Sequence, residues 1–479
     1  MQTTLSEDAT REIVSRLREG NEIFTRAFPG EPEERQPVHT VYGGAQLFKH
    51  DMAAKLGAGA RAALDEYAPD FVTFARAIGL PGADSLPADL AGIERLEAAL
   101  ATDPAAVRAV NDAAWLAHAI YTRVRAKLER EPVEDFRIDF EDGFGTRPDA
   151  EEDAAAVRGA EELAKGIREG IMCPFYGIRI KSFAEETRVR GFRTLDIFVT
   201  TLVRVLGHVP PWFRVTLPKV TIPEHVTALV ELLELLEKGL AQPAGSIRLE
   251  LMMELTQTVV DASGAINMPK LLRAARGRCV GVHFGTYDYT ASCSITAAHQ
   301  HMTHPSCSFA RHAMQVSLAR TGVFLSDGAT NVMPVPVHRP EGRPLTALER
   351  FENQASVHAA WRLQYGHVQD SLMRAFYQGW DLHPAQLPIR YAAVYAFFLS
   401  GFDAAADRLK NFVAKAAQAT LLGDVFDDAA TGQGLLNYFL RGIGCGAVPE
   451  EEVLARTGLT LEEVRLRSFA KILERRRAG

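Results

Sequence analysis

The chain has 479 residues, 47% of them apolar, and a formal net charge of −7. That length exceeds one average domain and suits a single large barrel with helical additions. The acidic balance argues against a nucleic-acid partner, because proteins that grip a phosphate backbone present a basic face.

Residues 1–36 read as an N-terminal helical arm. Within it, 7–28 is amphipathic, with Ile13, Val14, Leu17 and Ile23 at helical spacing. Charges run through residues 1–20 with no apolar signal core, so no secretory leader is expected. The first strand candidate is 37–42, closed by Gly43-Gly44. From 48 to about 130 the pattern is helical and Ala-rich, broken by Pro81-Gly82 and Pro87. It predicts one helix followed by a helical insertion over about 66–133. Seven further short β-type runs follow, at 136–140, 176–181, 213–217, 247–253, 279–284, 322–325 and 380–382. Segments of helical period, such as 150–167 and 224–240, separate most of them. Strands alternating with helices of this size pair in parallel, and eight of them close into a barrel. Several runs barely alternate, as strands covered on both faces do. The expected fold class is α/β, a (β/α)₈ TIM barrel over 37–400 with a helical insertion and a helical C-terminal segment over 401–479.

Residues 339–350 are polar with two prolines and predict an exposed loop between the last two strands. The longest uncharged run that is mainly apolar, 391–402, is shorter than the ~20 residues a membrane span needs, so no membrane partner is expected. Five cysteines with no C-x-x-C pair suit a reducing cytoplasm. Thr460-Leu461-Glu462-Glu463 is a capping box that predicts the start of the last helix. Glu474-Arg475-Arg476-Arg477 ends that helix, where cations complement its dipole.

Barrel enzymes place their chemistry at the C-terminal strand ends, and polar residues gather there repeatedly. The second strand ends in Asp139-Phe140-Glu141-Asp142-Gly143, the third carries Arg179 and Lys181, and the fourth ends in Pro218-Lys219. The fifth ends in Glu254 and the sixth in Gly285-Thr286-Tyr287-Asp288. Glu254 and Asp288 come from neighbouring strands, so their carboxylates can converge on one cation. Mg²⁺ takes only one or two protein carboxylates and fills its shell with water and substrate oxygens. The bland alternative is a solvated rim, or salt bridges to Arg179 and Lys219. Arg179 suits a fixed positive charge rather than a base, since it does not deprotonate in proteins. An ion pair with Glu141 or Asp142 is the structural reading of the same residue. Glu250, four residues before Glu254 and deeper on the same side of the strand, reads as a buried structural partner. Cys293, His299, His301, His304 and Cys307 fall close together, but their spacing matches no closed zinc site. Histidines lining a substrate loop are the preferred reading.

In their order along one chain these motifs resemble the citrate lyase β-subunit/malyl-CoA lyase superfamily, to which malate synthases are related. The likeness runs over roughly 39–440. Ile138-Asp139-Phe140-Glu141-Asp142 is similar to that superfamily's acidic second-strand motif, Gly177-Ile178-Arg179-Ile180 to its arginine motif, and Leu217-Pro218-Lys219-Val220 to its Leu-Pro-Lys signature. Met253-Glu254-Leu255 and Gly285-Thr286-Tyr287-Asp288-Tyr289 fall where its metal-binding Glu and Asp lie, and Trp380-Asp381-Leu382-His383-Pro384-Ala385-Gln386 resembles its closing-strand motif. The resemblance implies Mg²⁺, with Mn²⁺ as a substitute, held by Glu254 and Asp288, and a catalytic Arg179. It also implies substrate contacts from Glu141, Asp142, Lys219, Gly285 and Thr286. Phe426-Asp427-Asp428-Ala429-Ala430-Thr431 resembles the C-terminal motif of malate synthases, which makes Asp428 the candidate base; a helix cap is the alternative reading.

There are departures. The helical insertion is foreign to the short citrate-lyase pattern, and Gly43-Gly44-Ala45 stands where many relatives have a Pro-Ala-Asp-type turn. The expected function is a Mg²⁺-dependent carbon–carbon lyase or aldolase. It would act through a metal-stabilised enolate on a small 2-oxo or hydroxy acid or its CoA thioester, in a cytoplasmic homo-oligomer. A malate-synthase-like Claisen condensation of an acyl-CoA with a 2-oxo acid is the enzymatic alternative. A barrel that binds a metabolite without turnover is the other.

Overall fold

A computed structural model describes residues 4–32, 34–340, 342–414, 420–422, 425–427 and 429–478. The N-terminal helix α1 (Glu7–Ala27) starts where Ser6 accepts the Ala9 amide, and none of its residues is buried. Eight parallel strands then close into a barrel in sequence order, with β1 (His39–Gly44) hydrogen-bonded to β2 (Asp135–Asp139) on one side and to β8 (Gln378–Asp381) on the other. Between β1 and β2 lie α2 (Met52–Tyr67), α3 (Phe71–Ile78), α4 (Leu90–Thr102), α5 (Pro104–Val110) and α6 (Asp112–Arg130). The barrel continues with α7 (Asp149–Glu169), β3 (Phe175–Arg179), α8 (Arg188–Leu206), β4 (Phe213–Leu217), α9 (Pro223–Gly239) and β5 (Arg248–Met253). It closes through α10 (Thr256–Val259), α11 (Met268–Ala274), β6 (Cys279–Phe284), α12 (Thr286–Ser292), α13 (Pro305–Leu318), β7 (Phe324–Ala329) and α14 (Ala347–Met373) to β8. The (β/α)₈ expectation holds.

After β8 come α15 (Leu387–Ser400) and α16 (Phe402–Ala414), a hairpin of β9 (Thr420–Leu422) and β10 (Val425–Asp427), and four helices. These are α17 (Ala429–Gly444), α18 (Glu450–Thr457), α19 (Leu461–Arg465) and α20 (Phe469–Ala478). The expected helical C-terminal segment is present, with this short hairpin inserted in it. The Thr460–Glu463 capping box forms, but it heads the five-residue α19, and the last helix follows it. The polar stretch at 339–350 is loop only as far as Thr346. There a second capping box, Thr346 with Glu349, starts α14. The 391–402 run lies mainly in α15, whose residues are almost all buried between barrel and C-terminal segment. Among the described residues no helix is long and apolar enough to cross a membrane. All five cysteines are free, and four of them are buried.

The strands are apolar towards the surrounding helices, through Phe136, Ile138, Val215, Leu249, Leu251 and Val282 among others. Their inward side chains are polar. The Arg137 guanidinium lies between Asp135 and Glu250, 2.8 Å from a Glu250 oxygen, and all three residues are buried. His283 meets the same Glu250 oxygen at 3.0 Å, Thr216 donates to it at 3.3 Å, and Thr40 donates to Asp135 at 2.7 Å. Buried charges persist only when paired and hydrogen-bonded, and here each carboxylate has a cation against it. Burial would push the Glu250 carboxyl up, but Arg137 and His283 hold it well below its ordinary range. Glu250 is thus the buried partner its depth in β5 predicts, and this layer forms the floor beneath the C-terminal mouth.

Candidate active site

The rim is organised by the register of β2 and β3. Their last residues, Asp139 and Arg179, are Cα partners across the sheet. Both are buried, and the carboxylate takes the Nε and Nη2 edge of the guanidinium at 2.7 and 2.6 Å. Such a bidentate pair fixes orientation as well as charge. The same carboxylate accepts the Glu141 and Gly143 amides at 3.0 and 2.7 Å, which folds the Glu141-Asp142-Gly143 turn over the strand end. A Cβ on Gly143 would stand 2.6 Å from Asp139 Oδ2, so this turn needs glycine. The main partner of Arg179 is therefore Asp139, and Glu141 sits on its remaining edge at 3.4 Å. Tyr42 of β1 lies under the guanidinium, 4.8 Å from its ring centroid. Sequence reasoning singled out neither Asp139 nor Tyr42; the signal for Asp139 was its alignment with Arg179 at the ends of adjacent strands.

Lys219 follows β4 with φ of +50°, a region that residues other than glycine seldom adopt. This turn gives the residue two contacts. Its amide donates to Glu254 Oε1 at 2.7 Å, and its ammonium pairs with Glu141, with Asp142 at 3.2 Å and with Asp288 at 3.3 Å. Lys219 therefore touches four of the acidic residues that the sequence nominated, Glu141, Asp142, Glu254 and Asp288. Burial opposes its charge, but Glu254 and Glu141 outweigh that and hold its pKa above the ordinary value. The salt-bridged rim foreseen as an alternative is present, with Lys219 rather than Arg179 as its hub.

Glu254 is buried at the end of β5, and its carboxyl is pushed up to about 8, first by burial and then by the charge of Asp288. Burial also raises the Glu141 carboxyl against the pull of Arg179 and Lys219. Asp142 is driven up by burial but ends below its usual range because Lys219 is close. Asp288, in the first turn of α12, is partly exposed, its side chain 37% accessible. Two glycines let these groups approach. A Cβ at Gly285 would stand 2.4 Å from the Glu254 Cβ, and one at Gly328 would stand 2.1 Å from Thr286 Oγ1. Gly285→Ala is accordingly expected to displace the Glu254 side chain and to destabilise the fold by about 1–3 kcal/mol, as overpacking does; chemical denaturation with an unchanged midpoint would contradict this.

Asp139, Glu141, Asp142, Glu254 and Asp288 face only Arg179 and Lys219 within this cluster, five carboxylates against two cations. Two buried oxygens, Glu141 Oε2 and Thr286 Oγ1, have no hydrogen-bond partner. Excess negative charge, hard oxygen donors and orphaned acceptors fit a divalent cation such as Mg²⁺. Among the described residues no group of three or more His, Cys, Asp or Glu could hold a metal ion, which includes the Cys293–Cys307 stretch. A Mg²⁺ site of two carboxylates completed by water needs fewer protein ligands than that. In the 293–307 stretch His301 and His304 meet edge to face at 5.8 Å, and Met302 is buried beside the Thr330 hydroxyl. Asp428 lies outside the described residues.

Solved structures with a similar outline include a citrate lyase from Burkholderia xenovorans LB400, with 17% identity over 70% of this chain and 91% of that one, at a TM-score of 0.49. A Haloferax volcanii malate synthase in a magnesium/glyoxylate complex aligns with 14% identity over 92% of this chain and 98% of that one, at 0.41. The citrate lyase β-subunit from M. tuberculosis, complexed with oxaloacetate and magnesium, aligns with 14% identity over 57% of this chain and 92% of that one, at 0.34. Likeness at this level assigns no chemistry. No curated protein matches the sequence. The model of a family described as a domain of unknown function, DUF6986, matches residues 17–472, and the chain belongs to that family.

Proposed function

We propose that the protein is a Mg²⁺-dependent carbon–carbon lyase or aldolase acting on a small 2-oxo or hydroxy acid, or on its CoA thioester, at the C-terminal mouth of the barrel. The observation that carries this reading is the buried Glu254, with its carboxyl pushed up to about 8 beside Asp288 in a cluster short of positive charge. A divalent cation bound there by Glu254 and Asp288 would polarise a substrate carbonyl, which lowers the barrier to charge developing on its oxygen. The chain's own groups do the rest. Arg179, clamped by Asp139 and with Glu141 at its Nη1 edge, carries a fixed charge that needs no reorganisation when the substrate carbon becomes carbanionic. Lys219, held by Glu141 and Asp142, is the cation suited to grip a substrate carboxylate, while the buried Thr286 hydroxyl has a free hydrogen-bonding capacity. Glu141 Oε2, which makes no hydrogen bond and lies 3.4 Å from Arg179 Nη1, is the acceptor for a proton or a substrate hydroxyl in this reading.

Arg179→Lys is expected to lower turnover by on the order of 10²–10³, since a point charge can neither complete the fork with Asp139 nor bridge Asp139 and Glu141 as the guanidinium does. Near-normal turnover in that variant would reduce Arg179 to a structural ion pair. The function itself is tested by incubating the protein with Mg²⁺ and a panel of 2-oxo and hydroxy acids, with and without acetyl-CoA, and following products by NMR. Retro-aldol products that require Mg²⁺ support the lyase. Condensation products that appear only with acetyl-CoA would replace it with a malate-synthase-like reaction, and absence of turnover would leave a binding barrel.

A further inference from the structure

Helix α1 buries none of its residues, although its sequence is strongly amphipathic. Ile13, Leu17 and Phe24 are 49%, 60% and 55% exposed on one stripe, flanked by Val14 and Ile23, which are also exposed. The stripe follows a 3.5-residue period, with Thr10, Leu17 and Phe24 at one core position and Ile13, Gly20 and Ala27 at the other, which is the spacing of a helix that packs lengthwise on another helix. The polar face carries Glu7, Asp8, Glu12, Glu19 and Glu22 against Arg11, Arg16, Arg18 and Arg26. A helix that lies on anionic lipid is rich in Lys and Arg on that face, so this mixed, slightly acidic face does not suit a membrane.

We infer that α1 pairs antiparallel with α1 of a second copy of this chain, making the N-terminal arm a dimerisation element. In that arrangement the two core positions face one another, so Ile13 of one copy packs on Phe24 of the second, and Leu17 packs over Gly20. The pairing accounts for Gly20. A glycine weakens the middle of a helix, and within the chain a Cβ there would meet nothing within 4 Å. Opposite a leucine of the other copy, the missing side chain makes the room. Charge points the same way, since the acidic first turn with Glu7 and Asp8 comes to lie beside the last turn of the other helix, which carries Arg26. Antiparallel packing also sets the two helix dipoles head to tail.

Sedimentation analysis of the full chain tests this. The expected result is a species of twice 52.6 kDa for the unaltered protein. Leu17→Glu and Phe24→Glu should each yield a 52.6 kDa monomer with an unchanged far-ultraviolet dichroism spectrum. Their dissociation constants should rise by about 10²-fold or more, because each substitution buries a charge in an apolar seam. Orientation is read by disulfide trapping. A mixture of Thr10→Cys and Ala27→Cys proteins should cross-link between chains, and neither protein alone should. A monomeric unaltered protein throughout the micromolar range, dimers that persist in both glutamate variants, or cross-linking of either single variant alone would each overturn the proposal. So would flotation of a monomeric unaltered protein with anionic vesicles.

Discussion

Glu254→Gln is expected to abolish Mg²⁺ binding and turnover while leaving the metal-free protein more stable than wild type at pH 8. The sign follows from the raised carboxyl, whose value moves from an ordinary 4.5 to about 8 in the fold. Between these limits the folded protein keeps a proton that the unfolded chain releases, so Glu254 favours folding fully below about pH 4.5, and that contribution is lost as pH rises through 8. At about 1.4 kcal/mol per unit, the loss is on the order of 3–5 kcal/mol in the absence of metal. Glutamine keeps the Oε1 acceptor for the Lys219 amide and carries no charge to titrate. The two proteins should therefore be similar in stability near pH 4.5 and diverge up to pH 8, with Mg²⁺ raising the melting temperature of wild type only. A stability difference that stays constant from pH 5 to pH 8 would show that Glu254 is already ionised in the metal-free fold.

Arg137→Met should be the most damaging substitution in the barrel floor. It leaves Asp135 and Glu250 buried together, with His283 as the one positively chargeable group still bonded to Glu250. Removing one partner of a buried charge network costs roughly 3–5 kcal/mol, because the remaining charge has no water to turn to. The loss should be smaller at pH 5 than at pH 8. Without Arg137 the chief influence holding Glu250 down is gone, so the variant takes up protons that the wild-type fold refuses. Adding Glu250→Gln to Arg137→Met should recover part of the loss, since the two sites share one network. A pH-independent loss below about 1 kcal/mol would mean that water reaches this layer and that the ions are not truly buried.

The strands were legible to the degree that they are apolar. The runs at 213–217 and 279–284 coincide with β4 and β6 residue for residue, because β-branched and aromatic residues dominate both and the lone Gly281 does not break the apolar run of β6. The run at 322–325 ends four residues too early, since Ser326-Asp327-Gly328 reads as a turn. In the fold Asp327 is buried against Arg311 at 2.7 Å and takes the Ser371 hydroxyl at 2.6 Å, so the polar residues continue the strand. A local pattern cannot show a partner sixteen or forty-four positions away.

The same limit applied at the rim. Position along the strands brought Glu141, Asp142, Lys219, Glu254 and Asp288 into one list, and the fold joins them through Lys219. Of the two partners read for Arg179, Glu141 lies against it at 3.4 Å, and the stronger partner, Asp139, was missed because it depends on register, which fixes Asp139 directly opposite. The charged barrel floor left a trace in the alternation of Asp135, Arg137 and Asp139 along β2, whose charges all point one way on a strand of period two.

Calorimetric titration of Mg²⁺ into wild type, Glu254→Gln and Asp288→Asn tests the metal site most directly. Wild type should bind one ion, more tightly as pH rises towards about 8 and with proton release below it, because the cation competes with the Glu254 proton. Neither variant should bind. Mg²⁺ affinity that is the same in all three proteins, or that is independent of pH between 6 and 8, would contradict a cation held between Glu254 and Asp288.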